Sequence, residues 1–461
     1  MAEPLLAVRD LRVIFDADGG PIEAVAGVSL DVPANRTVAL VGESGSGKTV
    51  ISQAVLGILP ASARIAGGAI LFNDPEGPEG GLDLAALPQE SAERRAIRGG
   101  RISIIFQEPM SSLSPLHTIG DQISEALVLH HGTARAEALE RTVAMLRRVG
   151  FAEAHQAVHR FPFELSGGLR QRAMIAMALI CRPAMLIADE PTTALDVTIQ
   201  AQILKLMKDL QAEFGMSILF ISHDLGVVAN IADEIVVLYR GRVMERGSCA
   251  ELLTAPRHPY LKALLNAVPR LGSRADERLT ALREVKVDGA LTLGREPRRN
   301  PEQQPRDGTI LEVEGLRKVF LTRRAGWLGG DAVEVVAVDD VSFSVGRGET
   351  LAIVGESGSG KTTVSKMIMR AVQPDGGRIL FHGPEGPIDV LALDETALQD
   401  FRHHIQYMFQ DPFGSLDPRM TVADIVAAAD EGDADGDGIS GRPQIVWSSE
   451  FDRPMLGRFG H

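Results

Sequence analysis

The sequence predicts an α/β protein in which one layered unit is built twice, the second time incompletely. Three observations carry that prediction. The phrase VGESGSGKT stands at 41–49 and again at 354–362. Around the first copy the pattern runs strand, glycine turn, helix: TVALV at 37–41 is rich in β-formers, and the segment after Gly47 carries a helical pattern to about Leu59. Farther on, Met185-Leu186-Ile187-Ala188-Asp189-Glu190 reads as a buried strand that ends in two adjacent carboxylates.

Composition bounds the rest. At 461 residues two or three domains are expected, and 45% hydrophobic content suits ordinary buried cores. A formal charge of -14 and a pI near 5.3 repel phosphate backbones, so no nucleic-acid partner is expected. MAEPLLAVRD at the start has no basic region leading into an apolar core, and no run approaches the ~18 apolar residues that a membrane span needs. A cytoplasmic chain, soluble by itself, is the expectation. Cys181 and Cys249 are the only cysteines, too few for a disulfide framework or a four-cysteine metal site. The longest apolar run, Met174 to Ile187, is broken at Arg182 and Pro183 and reads as a helix ending before a buried strand.

The repeat extends beyond the two loops. VAGVSLDV at 25–32 answers VDDVSFSV at 338–345, and IFQEPMSSLSP at 105–115 answers MFQDPFGSLDP at 408–418 with Gln107 and Gln410 in register. TIGD at 118–121 answers TVAD at 421–424, and the correspondence then ends near Val426. Only 51 residues follow Gln410, whereas the first copy takes 59 to pass from Gln107 to Ser166. The expected organisation is a complete unit at 1–270, a linker rich in Arg, Glu, Gln, Pro and Gly at 271–308, a truncated second unit at 309–426 and an atypical acidic tail at 427–461. DADGDG in that tail has the spacing of a calcium loop at Asp433, Asp435 and Asp437. Its twelfth position is Gln444 instead of a bidentate Glu, so a solvated tail is expected.

Both loops fit G-x-x-x-x-G-K-[ST], in which glycines turn backbone N–H groups onto phosphate oxygens, a lysine adds a point charge and a hydroxyl meets Mg²⁺. The residues are Gly42, Ser44, Gly45, Gly47, Lys48, Thr49 and Val50 in the first copy, and Gly355, Ser357, Gly358, Gly360, Lys361, Thr362 and Thr363 in the second. A glycine turn with an incidental lysine is the bland alternative, and the repetition weighs against it. Asp189 is placed to hold the Mg²⁺ shell and Glu190 to orient or deprotonate an attacking water, where a surface Asp-Glu pair would need no function. Ser166 takes an N-cap position before a helix through RQRAMIAMALI, and with Gly167 and Gly168 it makes a helix end able to receive a phosphate from outside. A simple capped helix is the alternative. Strand Ile218 to Ser222 leads to His223, a group able to reach the same phosphate; a lone histidine is usually structural, but its place after the carboxylate strand favours the functional reading.

Taken in order, Gly42 to Thr49, Gln107, Leu165-Ser166-Gly167-Gly168, Asp189-Glu190, Leu195-Asp196 and His223 resemble the ATP-binding cassette (ABC) family over residues 6–270, and the second copy resembles it from about 310 to 426. The resemblance implies a P-loop NTPase cassette, a mixed sheet flanked by helices with a helical subdomain, duplicated and incomplete in its second copy. It implies ATP and Mg²⁺ as cofactors, with Thr49, Gln107, Asp189, Thr362 and Gln410 at the metal, and Glu190, His223 and Gln107 in catalysis. Leu165 to Gly168 would be the signature, Leu195 and Asp196 the D-loop. Phe15 and Phe320 would stack on adenine, although as residues alone they equally suit a core. FQEPMSSLSP, FQDPFGSLDP, LSGGLRQR and HPYLKALLNAVPRL further resemble the peptide-importer branch. Leu169 stands where the wider family often has glutamine, and no cysteine follows HPY, so no cluster-binding role is expected there.

That branch implies transmembrane permease partners, an external solute-binding protein acting indirectly, and peripheral placement on the cytoplasmic face of the inner membrane. In such cassettes each nucleotide site is closed by the signature of an opposing cassette. The Lys48 site finds no signature in copy two, and the Lys361 site has no carboxylate strand or switch histidine of its own. Another intact cassette is therefore expected to be needed for full turnover, and copy two is expected to be loosely folded, with apolar faces and strand edges uncovered. Two rivals stand beside an importer ATPase: a soluble ABC ATPase without a transport partner, and a fragment that binds nucleotide without hydrolysing it.

Overall fold

Three sheets organise the described residues of the computed structural model, which are 3–17, 19–78, 80–107, 112–193, 195–266, 308–323, 332–356, 358–383, 386–409, 416–417 and 419–428. The chain divides into two units, Met1–Val287 and Asp288–His461. In the first, β1 (Leu6–Phe15), β2 (Ile22–Val32), β3 (Thr37–Val41), β4 (Ala63–Phe72), β5 (Leu82–Asp83), β6 (Ile102–Ile105), β7 (Met185–Asp189), β8 (Ser217–Ser222), β9 (Glu234–Tyr239) and β10 (Arg242–Ser248) make two sheets. One is antiparallel in the order β2-β1-β4-β5. The other is mixed: β9, β3, β8, β7 and β6 run parallel, and β10 joins β9 antiparallel at the edge.

β3, β7 and β8 are buried at every residue, which is why they read as unbroken apolar runs in the sequence. Their side chains alternate between two cores. Val38, Leu40, Ile187 and Leu219 pack with the antiparallel sheet and the helix Lys48–Leu56; Ala39, Val41, Leu186 and Phe220 pack with the helices Ile119–His131, Arg135–Arg148, Gly167–Leu179 and Val197–Phe214. These last four supply the expected helical subdomain and the cover of one sheet face.

The helix after the first glycine loop ends at Leu56, short of the expected Leu59. Gly57 takes φ 66°, a left-handed C-cap, and turns its N–H back onto Ala54. The apolar run from Met174 behaves as expected: its helix stops at Leu179, Arg182 reverses the chain at φ 50°, and β7 begins at Met185. Both cysteines are free and buried.

The second unit holds β11 (Thr309–Arg323), β12 (Ala332–Gly346), β13 (Gly376–Gly383) and β14 (Gly386–Asp389), an antiparallel sheet in the order β12-β11-β13-β14. Its core joins Val313, Leu316, Ile379 and Phe381 to Val364 and Met367 of the helix Lys361–Ile368 and to Leu398 and Phe401 of the helix Glu395–His404. The counterpart of β3 is absent. Residues 351–356 form no strand, and Ile353 and Val354 are 45% and 88% exposed where Leu40 and Val41 are fully buried. The difference is pairing: β3 is held between β8 and β9, and among the described residues no strand lies beside 351–356. Backbone amides of 351–354 are accordingly expected to exchange hydrogen far faster than those of 38–41, and comparable protection in an exchange experiment would contradict this account.

The helix Val422–Ala428 spans Val426, near which the repeat correspondence ends. The linker up to 307, and the tail from 429 with its DADGDG run, lie outside the described residues.

Candidate functional site

The first glycine loop leaves β3 from the centre of the mixed sheet and enters the helix Lys48–Leu56, so its backbone N–H groups sit at a helix N-terminus. Two glycines have no substitute. A Cβ on Gly42 would lie 2.1 Å from the Leu238 carbonyl of β9, and one on Gly47, at φ 100°, would lie 2.6 Å from the Ala24 carbonyl. The Lys48 Nζ donates to the Gly42 and Glu43 carbonyls at 2.7 and 2.8 Å. Burial draws the Lys48 ammonium below its usual range, against the pull of Glu190 and Asp189. Ser44 and Gly45 are exposed at the tip, and Thr49 and Val50 occupy the first helical turn.

Neighbouring β7 delivers the two carboxylates. Asp189 is its last residue and only 3% exposed; burial pushes its carboxyl up, while a hydrogen bond from the Thr49 hydroxyl and the charge of Lys48 oppose the rise. Among the described residues Asp189 Oδ1 accepts no hydrogen bond. A buried anionic oxygen without a donor, beside a threonine hydroxyl, is the donor set that suits a hard cation such as Mg²⁺, which takes one or two protein oxygens and completes its shell with phosphate and water. Among the described residues no cluster of three His, Cys, Asp or Glu side chains forms a metal cage.

Glu190 follows the strand at φ 47°, and its N–H donates to the Ile221 carbonyl. This reversal presents the carboxylate to three donors. Gln107 Nε2 at 2.9 Å and Thr193 Oγ1 at 3.1 Å donate to Oε2, and His223 Nδ1 at 2.9 Å donates to Oε1. Since a carboxylate only accepts, His223 carries its proton on Nδ1 in this contact. Thus Gln107 after β6, Glu190 after β7 and His223 after β8 meet because their parallel strands are adjacent and end at one edge. Thr193 was not foreseen. Its signal was faint, a hydroxyl three residues past the carboxylate in a turn closed by its N–H on the Glu190 carbonyl.

The residues expected as the signature lie at the start of another helix. Leu165 is buried, and Ser166 caps the helix Gly167–Leu179 by accepting from Leu169 N at 3.4 Å. A Cβ on Gly168 would come 3.1 Å from Ile199, so this helix end abuts the helix Val197–Phe214. Asp196 caps that helix through Ile199 N at 2.9 Å, and Leu195 packs on the core. Phe15 closes β1 and packs partly on the core, whereas Phe320 is 38% exposed with Lys318 Nζ over its ring.

In the second unit the same loop is less enclosed. Gly360 keeps φ 92° and Lys361 Nζ donates to the Gly355 and Glu356 carbonyls, yet Lys361 is partly exposed where Lys48 is buried, and a Cβ on Gly355 would meet only Ser359. Gly358 sits at φ 82° in the loop, and Thr362 and Thr363 open the helix Lys361–Ile368. Ser357 and Gln410 lie outside the described residues.

The sequence matches the ABC transporter family over residues 25–193 and 338–450, and the oligopeptide/dipeptide transporter C-terminal region over 244–289. The second of the two family matches extends past Val426. Glutathione import ATP-binding protein GsiA of Escherichia coli (strain K12) is 44% identical over 428 residues, covering 92% of this chain. The protein of that name from Shigella dysenteriae serotype 1 (strain Sd197) gives the same figures. The chain spans 66% of the length of these relatives. Among solved structures, cbiO1 from Clostridium perfringens, part of the ABC transporter complex cbiONQ, aligns at 26% identity over 55% of this chain and 92% of that one, with a TM-score of 0.46. With its family matches covering more than half of the sequence, the chain belongs to the ABC transporter family.

Proposed function

We propose that this chain binds and hydrolyses ATP to energise import of peptides or similar small solutes through membrane-embedded permease subunits. The observation that carries the reading is Glu190, held by Gln107, Thr193 and His223 beside the Asp189 carboxylate and the Lys48 loop. The loop's N–H groups and Lys48 bind the β- and γ-phosphates. Mg²⁺, held by Thr49 and Asp189 with Gln107 nearby, would neutralise charge on those phosphates. Glu190 orients the attacking water and accepts its proton, and His223 and Gln107 keep the carboxylate aimed.

The solute class rests on the oligopeptide/dipeptide match at 244–289 and on relatives named for glutathione import. Among the described residues no helix is long and apolar enough to cross a membrane, so the pathway is assigned to partners, with the chain peripheral on the cytoplasmic face of the inner membrane and an external solute-binding protein supplying cargo indirectly. A second intact cassette completes the Lys48 site with its signature. The test is ATP turnover per chain against protein concentration. A specific rate that rises with concentration supports pairing of first cassettes. Rapid, concentration-independent turnover by a monodisperse monomer refutes pairing, and bound ATP without turnover in a complex with permeases refutes the ATPase.

A further inference from the structure

The helix Pro259–Asn266 lies far along the chain from the phosphate loop yet touches it. Its approach is fixed at three points. Glu245 of β10 accepts from the backbone N–H groups of Arg257 and His258, both at 2.9 Å; His258 Nδ1 accepts from Tyr260 N at 3.1 Å; and Leu261 and Leu264 are buried in the core. Tyr260 is thereby set against Tyr239 at the end of β9, with ring centroids 4.4 Å apart. From there the Tyr260 hydroxyl accepts from the backbone N–H of Glu43, inside the glycine loop, at 3.3 Å. The carbonyl of the same residue receives Lys48 Nζ. One residue of the loop is gripped at its N–H by the helix Pro259–Asn266 and at its C=O by the phosphate-binding lysine.

We propose that Tyr260 is a positioning residue for the Lys48 loop, acting through Glu43 N–H, so that seating of the segment after β10 sets nucleotide affinity. This rests on the Lys48 loop binding ATP. The second loop has the same nine residues, and its lysine is more exposed.

The test is equilibrium binding of a non-hydrolysable ATP analogue with Mg²⁺ to the full chain, with Lys361→Ala throughout so that only the first loop is read. Tyr260→Phe keeps the ring on Tyr239 and removes one acceptor. Loss of one hydrogen bond predicts a Kd about 2- to 10-fold weaker, with KM for ATP raised in proportion and kcat unchanged. A purely structural role would instead lower the melting temperature of the nucleotide-free protein and leave Kd alone, overturning the proposal. Equal Kd for parent and Tyr260→Phe, with Lys48→Ala abolishing binding, overturns it while leaving the ATPase intact. Indifference of binding to Lys48→Ala overturns both.

Discussion

Glu190→Gln is expected to cut ATP turnover by about 10²- to 10⁴-fold, the range for loss of a general base, while nucleotide binding persists. The side chain keeps its size, so the effect isolates the charge. In the native site Oε2 takes hydrogen bonds from Gln107 and Thr193, and Oε1 takes one from His223. An amide offers one acceptor oxygen. Placed at Oε2 it keeps two donors, and its NH₂ then faces His223 Nδ1, which can accept only if the imidazole moves its proton to Nε2. Two measurements check this: steady-state ATP turnover, and ¹⁵N NMR of His223, which should report a change of tautomer. Turnover within tenfold of the native chain would remove Glu190 from the role of base.

Asp189→Asn is expected to separate function from stability. Turnover should fall by about 10²-fold, corresponding to roughly 3 kcal/mol of metal-borne stabilisation. The nucleotide-free fold should become more stable at neutral pH. Burial raises the Asp189 carboxyl above its usual 3.8, so its folded-state pKa exceeds the unfolded one. For an acid shifted upward, stability is greatest below the unfolded value and declines as pH rises through the folded value. At pH 7 the native residue is therefore a liability that the neutral amide relieves, and the melting temperature should rise by about 2–4 °C per kcal/mol relieved. The gain should vanish near pH 3, where Asp189 is protonated in both states. Thermal melts with and without Mg²⁺-ATP, from pH 3 to 8, measure the crossover, and a variant less stable at pH 7 would contradict the account.

Much of the site was legible because its chemistry ends strands. Asp189, Glu190 and His223 each follow an apolar run too short and too β-rich to be a helix, and parallel order brings such ends together. Thr193 was not, because a hydroxyl in a turn leaves no periodic trace. The Tyr260 contact spans more than 200 positions and follows no local pattern. The helix end near Leu59 was overshot because the apolar pattern continues through Gly57, whose left-handed backbone decides the matter. The most instructive difference is between 37–41 and 350–354. Their sequences are nearly interchangeable, TVALV and TLAIV, and only the first is a strand. A central parallel strand is made by its neighbours on both sides, and no propensity within five residues replaces them.

Strand order also sets a timetable. β3 is made early, but its sheet partners β8 and β9 begin at residues 217 and 234. At synthesis rates of about 5–20 residues per second, the nascent chain carries its glycine loop for roughly 10–40 s before β9 exists to press against Gly42. Throughout that interval β3, a strand buried at every residue in the folded unit, is an open edge. Within this unit the phosphate loop is thus translated well before the strands that complete its site.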